Sequence, residues 1–225
     1  MGATVKLGSA QRCALFDLDG VLLDTEPIYS RVIQSMVGEY GHTYDWSVKS
    51  RCMGRGTREA VAFLVEVYKL PLSVDQFIAQ YESLLQTALL AAEPVAFAEA
   101  FTRTLHERGV PMAIVTSTQS CLMPVKTRRY EDWFSLFQLV VCGDHPDVLH
   151  NKPAPDAYLV AAREMHVPPS LCVVFEDAPA GVAAGKAAGM RVVAIPDPQL
   201  DPALFAAADL VLTGFAACSP LDLGF

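Results

Sequence analysis

The 225-residue sequence lacks the features that carry a chain into or across a membrane. No apolar run approaches the roughly 18 residues of a membrane-spanning helix. The N-terminal stretch has no apolar core of the kind found in signal peptides, and residue 6 is Lys where a myristoylation signal has Ser or Thr. These absences predict a cytoplasmic protein without a membrane partner, and we expect a monomer by default.

The chain also lacks paired cysteines and an excess of positive charge. None of its six cysteines forms a Cys-x-x-Cys pair, which predicts free thiols in a reducing compartment. The 17 Lys and Arg residues are outnumbered by 25 Asp and Glu residues, for a net charge of −8. Nucleic acid is therefore not expected as a partner. In so acidic a chain, the short basic run at residues 126–129 is predicted to be an exposed helix face.

What the chain does have is a set of apolar strand-like runs that alternate with helical patterns. Apolar residues make up 52% of the sequence, enough for a sizeable core. This alternation predicts βαβ units and a parallel sheet that is buried on both faces. The predicted strands are 12–17, 112–116, 139–142, 171–175, 191–195 and 210–212, and the predicted helices between them are 98–108, 119–130, 156–165 and 180–188.

Residues 26–93 interrupt the alternation with helical spacing alone. Helices are predicted at 26–40, 57–69 and 73–91, the last with a capping box formed by Ser73 and Gln76. The predicted fold class is therefore α/β, a Rossmann-like parallel sheet with helices on both faces and an inserted all-helical cap. The core would comprise residues 1–25 and 94–225, and the cap residues 26–93.

The most informative stretch is the end of the first strand. There an apolar run gives way to Asp17 and Asp19, followed by a glycine. In open α/β sheets, ligands bind just outside the carboxyl ends of the strands. Two carboxylates there suit Mg²⁺ and also offer a nucleophile and a proton-transfer group. The tetrapeptide alone is equally compatible with an ordinary turn.

Polar residues at three other predicted strand ends favour the functional interpretation. Each has an ordinary alternative, such as a turn, a helix N-cap or a solvated lysine, and Asp156 is predicted to be an N-cap. Parallel strands bring these ends to one edge, where about four negative charges would need a counter-ion such as Mg²⁺. The residues are Thr116 and Ser117 after the second strand, Lys152 in the loop after the third, and Glu176 and Asp177 after the fourth.

These motifs resemble the four motifs of the haloacid dehalogenase superfamily, in the same order along the chain. They are Asp17-Leu-Asp19-Gly-Val-Leu-Leu-Asp-Thr25, Thr116, Lys152-Pro-Ala-Pro-Asp156 and Glu176-Asp177. The helical insertion after the first motif is similar to the cap of the first subfamily. The resemblance spans nearly the whole chain.

The resemblance implies a Mg²⁺-dependent phosphatase that acts on a small phosphorylated metabolite. Asp17 would be the nucleophile that forms an aspartyl-phosphate. Asp19 would be the general acid and base, and would also offer its backbone carbonyl to the metal. The remaining implied residues are Thr116, Ser117 and Lys152 for the phosphoryl oxygens, and Asp177 with Glu176 in support for the metal.

A closer likeness is to pseudouridine-5′-phosphatases and to the similar plant and yeast glycerol-3-phosphatases. It rests on Trp46-Ser-Val-Lys-Ser50, Phe134-Ser-Leu-Phe137, Gly143-Asp144 and Phe175-Glu-Asp-Ala-Pro179, among others. Pseudouridine 5′-phosphate is therefore the first substrate to expect, with glycerol 3-phosphate or another sugar phosphate as the alternative. The chain departs from these relatives at residues 94–97, which read Pro-Val-Ala-Phe where the relatives usually have Pro-Gly.

Other branches and classes are less well matched. The dehalogenases that name the superfamily lack the second aspartate, here Asp19, and the related β-phosphoglucomutases have His where this chain has Tyr29. A non-catalytic phospho-acceptor of the receiver type uses similar residues, but it is much shorter and has no cap. The candidates for substrate contacts are Arg55 and Arg58 in the cap and Asp144 in the core, each with a solvated surface position as the alternative.

Overall fold

The computed structural model describes residues 12–52 and 57–225, which fall into two compact units. One unit contains the residues up to Leu22 together with Pro94–Ser120 and Tyr130–Phe225. The other contains Leu23–Glu93 and Cys121–Arg129. The sequence places residues 23–25 and 121–129 in the α/β core, so this division differs from the predicted one at those two segments.

The larger unit is built on a six-stranded sheet in the order β5-β4-β1-β6-β7-β8, and every neighbouring pair is parallel. The two remaining strands, β2 and β3, pair with each other. The strands are β1 (Cys13–Phe16), β2 (Leu23–Asp24), β3 (Glu93–Pro94), β4 (Met112–Val115), β5 (Leu139–Val141), β6 (Cys172–Glu176), β7 (Arg191–Ala194) and β8 (Leu210–Val211).

Helices cover both faces of this sheet, which confirms the predicted α/β fold. Every residue of β1, β4 and β6 is buried, as expected for parallel strands covered on both sides. The helices of the chain are α1 (Glu26–Gly38), α2 (Trp46–Cys52), α3 (Thr57–Val67), α4 (Val74–Ala88), α5 (Ala98–Glu107), α6 (Met123–Thr127), α7 (Glu131–Phe134), α8 (Asp156–Glu164) and α9 (Pro179–Ala187).

The two faces of the sheet have different cores. On one face, the Phe16 ring stacks on Phe175 with centroids 4.5 Å apart, and Phe101 of α5 meets both rings edge-on. On the other face, small and branched side chains of α8 and α9 pack against Leu15 and Val174. Because side chains alternate along a strand, the residue after Phe16 leaves the aromatic face.

The helical unit follows the predicted periodicity. At the start of α4, the Ser73 hydroxyl accepts a hydrogen bond from the Gln76 backbone N–H, and Gln76 Oε1 accepts one from the Ser73 backbone N–H, so the predicted capping box is confirmed. Phe77 and Leu85 form the buried side of this helix, which packs against α1 and α3. Within the two described ranges, no helix combines the length and apolar character needed to cross a bilayer.

The predicted helix at 119–130 is wrong in its length, and the exposure predicted for residues 126–129 is wrong at its first residue. Only Met123–Thr127 is α-helical, and 3₁₀ turns flank it at Ser120–Leu122 and Arg128–Tyr130. Pro124 explains why the α-helix begins no earlier than Met123, since proline fits only the first turn of a helix. Lys126 is buried, with 2% exposure, and its Nζ donates to the Tyr29 hydroxyl at 2.9 Å. The predicted exposed basic face is therefore wrong for Lys126.

The departure at residues 94–97 has a visible backbone consequence. Phe97, which precedes the first residue of α5, adopts φ 65° and ψ 0°, the left-handed region that glycine enters at the least cost. Its side chain is 64% exposed. Phe97 therefore supplies the left-handed turn into α5, a role for which glycine is better suited.

Candidate active site

The strand order creates a binding crevice at the carboxyl end of β1. The chain runs outward from β1 to β4 and β5, then returns to place β6 on the opposite side of β1. Such a switch in strand order is where open α/β sheets bind ligands. Asp17 follows β1 directly, and its backbone N–H donates to the Phe175 carbonyl of β6 at 3.0 Å. The first aspartate therefore lies at the switch point.

Lys152 joins the predicted acidic residues into one cluster. Its Nζ donates to Asp17 Oδ1 and to Glu176 Oε1, both at 2.6 Å, and to the Val115 carbonyl at 3.0 Å. The exposed fractions of the three side chains are 8% for Lys152, 11% for Asp17 and 1% for Glu176. The structure thus brings together residues from the first, third and fourth predicted motifs.

Burial and charge shift the proton affinities in this cluster. Burial raises the pKa of Asp17 to about 7, with Lys152 opposing the shift and Glu176 and Asp19 adding to it. Burial acts to lower the pKa of Lys152, but the carboxylates of Asp17 and Glu176 outweigh it and hold that pKa well above its usual value. Lys152 therefore remains a cation beside the carboxylates.

Tyr158 of α8 is a site residue that the sequence reasoning missed. Its buried hydroxyl donates to Glu176 Oε1 at 2.7 Å, beside the Lys152 ammonium. Burial and the Glu176 charge raise the pKa of this phenol well above its usual value, so it stays a proton donor. Its closeness to the Lys152-Pro-Ala-Pro-Asp156 motif, which ends two residues earlier, could have pointed to it. The helical periodicity, however, indicates only that Tyr158 is a core position.

Three carboxylates of this cluster could hold a divalent cation. One oxygen each from Asp17, Glu176 and Asp177 lies within 4.8 Å of the others, and clustered carboxylates suit Mg²⁺. Gly20 leaves space for the Asp177 carboxylate, because a Cβ at residue 20 would lie 2.0 Å from Asp177 Oδ2. The φ of +80° at this residue also favours glycine. The donor set therefore fits the expected metal.

The loop after β4 carries the predicted phosphate-binding hydroxyls and one more. Thr116 is buried, and its Oγ1 accepts the Thr118 backbone N–H at 3.0 Å, whereas Ser117 is exposed. The Thr118 hydroxyl donates to Asp19 Oδ2 at 2.7 Å. Thr118 was not among the predicted site residues, because the sequence analysis considered only the two residues that directly follow the strand, Thr116 and Ser117.

The predicted specificity residues have structural partners or lie outside the described residues. Arg55 falls in the stretch that is not described. Arg58 is 70% exposed and pairs with Asp75, so its predicted substrate contact stays a prediction. The Asp144 carboxylate accepts the Ser120 backbone N–H and hydroxyl at 2.8 and 2.7 Å. These bonds hold the pKa of Asp144 below its usual value.

Asp156 is not the N-cap that the sequence predicts. The N-cap of α8 is Pro155, which has no capping side chain, and Asp156 is the first helical residue. Its Oδ2 instead accepts the His150 backbone N–H at 3.0 Å. The carboxylate therefore fastens the preceding loop, and this bond holds its pKa below the usual value.

Comparison with known proteins identifies the family. The model of haloacid dehalogenase-like hydrolases matches residues 11–189. The chain belongs to this family. It is 39% identical to an Arabidopsis thaliana protein named (DL)-glycerol-3-phosphatase 1, mitochondrial, over all of this chain and 78% of that protein. It is also 39% identical to a Drosophila melanogaster protein named probable pseudouridine-5′-phosphatase, over 93% of this chain and 92% of that one.

Solved structures of family members share the architecture. A haloacid dehalogenase family hydrolase from Deinococcus radiodurans, solved with phosphate and sodium bound, superposes with a TM-score of 0.76 and 29% identity. The match covers 92% of this chain and 93% of that one. The family and fold predicted from the sequence are both confirmed.

Proposed function

We propose that this family member hydrolyses the phosphate monoester of a small metabolite through an aspartyl-phosphate on Asp17, with Mg²⁺ as cofactor. The observation that carries the proposal is the contact of Lys152 with both Asp17 and Glu176, next to a third carboxylate, Asp177. A candidate nucleophile, a fixed cation and a group of candidate metal-binding carboxylates thus lie at the same edge of the sheet. That combination is what phosphoryl transfer requires.

The enzyme class follows from the family and its named members. The chain is a phosphatase of the haloacid dehalogenase-like family, as the relatives at 39% identity are named phosphatases. A non-catalytic phospho-acceptor is disfavoured, because both Asp17 and Asp19 are in place for two successive steps.

In the first step, a carboxylate oxygen of Asp17 attacks phosphorus and the bond to the leaving oxygen breaks. Asp19 gives a proton to that oxygen, so the product departs as an alcohol. Lys152 and the Thr116 hydroxyl bind the phosphoryl oxygens, and Ser117 contributes from the same loop. Each of these groups belongs to the larger unit.

In the second step, water attacks the phosphorus of the aspartyl-phosphate. Asp19, now a carboxylate, takes a proton from the water, and the bond to Asp17 breaks to release inorganic phosphate. Asp17 returns as a carboxylate and Asp19 as a carboxylic acid. Both residues are therefore ready for another turnover.

The metal would be held by Asp17, Asp177 and the Asp19 backbone carbonyl, with Glu176 in support. When bound, Mg²⁺ neutralises charge on the transferring phosphoryl group. The charge of the site argues for it, because Lys152 supplies one positive charge against the carboxylates of Asp17, Glu176 and Asp177. Glu176 already accepts Lys152 and Tyr158 through Oε1 and two backbone N–H groups through Oε2, which suits the supporting role.

The proposed substrate is pseudouridine 5′-phosphate, and glycerol 3-phosphate is the second candidate. Two relatives with these names stand at the same 39% identity, and the glycerol-3-phosphatase alignment spans the whole chain. A mutase is disfavoured, because Tyr29 occupies the position of the mutase histidine and its hydroxyl accepts a hydrogen bond from Lys126. The monomeric state and the cytoplasmic location stay predictions.

A substrate panel tests this function. We would measure kcat/KM with Mg²⁺ for pseudouridine 5′-phosphate, uridine 5′-phosphate, glycerol 3-phosphate, phosphoglycolate and a hexose phosphate. We expect a preference of about 10²-fold for pseudouridine 5′-phosphate, equivalent to about 2.7 kcal/mol. A preference for glycerol 3-phosphate would select the second candidate. No turnover of any ester with Mg²⁺ present would contradict the phosphatase proposal.

A further inference from the structure

Thr118 connects two of the proposed catalytic groups. Its hydroxyl donates to Asp19 Oδ2 at 2.7 Å, and its backbone N–H donates to Thr116 Oγ1 at 3.0 Å. One residue therefore contacts both the proposed proton donor and a proposed phosphate-binding hydroxyl. The bond to Thr116 is local to the loop, whereas the bond to Asp19 is not, because Asp19 and Thr118 are 99 residues apart in the chain.

The backbone of Thr118 is fixed from the loop that follows β5. The Gly143 N–H donates to the Thr118 carbonyl at 3.0 Å, and Asp144 holds Ser120 through two hydrogen bonds. The two loops approach so closely that a Cβ on Gly143 would lie 2.5 Å from the Ser117 carbonyl oxygen. A side chain on such a restrained backbone loses little further freedom when its hydroxyl is fixed.

We propose that Thr118 is a positioning residue that holds the Asp19 carboxyl group in the orientation needed to protonate the leaving oxygen. This role rests on the proposed phosphatase function. Oδ2 accepts the Thr118 hydrogen bond, so the acidic proton of Asp19 resides on the other oxygen, Oδ1. Thr118 thereby selects which oxygen delivers the proton, while Gly143 holds the Thr118 carbonyl and Asp144 holds the same loop at Ser120.

The proposal predicts a loss that depends on the leaving group. An alkyl phosphate needs the proton from Asp19, because an alkoxide is a poor leaving group, whereas p-nitrophenyl phosphate releases a stabilised phenolate without it. The value of kcat/KM reports the steps up to breakage of the first phosphorus–oxygen bond. Comparing kcat/KM for these two esters therefore isolates the proton transfer from the later attack of water.

The experiment uses Thr118→Val, which keeps the shape and removes the hydroxyl, and Thr118→Ser, which retains it. Thr104→Val is the matched control, because among the described residues its hydroxyl donates to a carbonyl within its own helix, at 2.9 Å from Ala100 O. We expect Thr118→Val to lower kcat/KM about 10–100-fold for the best alkyl phosphate of the panel. The loss with p-nitrophenyl phosphate should stay below about 3-fold.

Two further readouts separate positioning from a structural role. Thr118→Ser should restore the alkyl-phosphate rate to within about 3-fold of wild type, and Thr104→Val should leave both esters unchanged. If Thr118→Val lost activity equally on both esters, or lost none on either, the proposed role of Thr118 would be overturned. Turnover by the wild-type protein would still support the phosphatase function. A wild-type protein that hydrolyses neither ester would instead overturn the proposed function and this role with it.

Discussion

The buried hydrogen bond from Tyr158 to Glu176 offers a direct test of the cluster's stability. Tyr158→Phe removes only the hydroxyl, which is fully buried and lies 2.7 Å from Glu176 Oε1. A hydrogen bond to a charged group contributes about 1.5–3 kcal/mol. Glu176 keeps its bond to Lys152 at 2.6 Å, so the carboxylate is not left unpaired. We therefore expect a loss of about 2 kcal/mol, within that range.

The loss can be measured by thermal unfolding in metal-free buffer. For a chain of this size, about 2 kcal/mol corresponds to a fall in Tm of about 4–8 °C. Tyr68→Phe is the control, because its hydroxyl donates to the Thr43 carbonyl at 2.8 Å in an exposed setting. That bond is neutral and solvated, so its loss should cost less than about 1 kcal/mol.

The comparison between the two variants decides the outcome. If Tyr158→Phe lowers Tm no more than Tyr68→Phe, the hydroxyl does not stabilise the buried carboxylate, and the reasoning from burial and charge is refuted. A clearly larger loss for Tyr158→Phe would support the view that Tyr158 and Lys152 together compensate the buried charge of Glu176.

Three further predictions concern Asp17 and the metal. Asp17→Asn should lower kcat by more than about 10³-fold with an unchanged circular dichroism spectrum, and wild-type turnover by this variant would contradict the nucleophile assignment. Excess EDTA should abolish activity and Mg²⁺ should restore it; full activity in EDTA would refute the metal site. The folded-state pKa of Asp17, about 7, lies above its ordinary 3.8, so this group stabilises the fold at acid pH and the contribution is lost as pH rises through about 7. In EDTA the free energy of unfolding should therefore fall as the pH rises from about 4 to above about 7. Asp17→Asn should flatten the profile, and an identical profile for the variant would rule out Asp17 as the source.

Much of the fold was predictable because parallel strands leave a strong signal. Strands buried on both faces are mostly apolar, so β1, β4 and the first four residues of β6 appear in the sequence as uninterrupted apolar runs. The capping box at Ser73 was equally predictable from the sequence, because it depends on residues only three positions apart. Local patterns of this kind need no knowledge of the rest of the chain.

The errors arose where a residue's environment depends on distant elements. Lys126 was predicted to be exposed from its basic neighbours, yet it is buried and donates to Tyr29, which is 97 residues away in the chain. Asp156 occupies a plausible capping position, but its carboxylate bonds to the His150 backbone instead. Residue type and spacing do not reveal such partners.

The sequence by itself determined the family, the sheet architecture and the polar residues at the strand ends, because each depends on local pattern or on short motifs. Only the tertiary structure decided how those residues are connected. It showed that Lys152 bridges Asp17 and Glu176, that Tyr158 shares the Glu176 oxygen, and that Thr118 reaches Asp19. The physical reason is that a hydrogen bond of 2.6–2.7 Å depends on where separate strands and loops place their side chains in space.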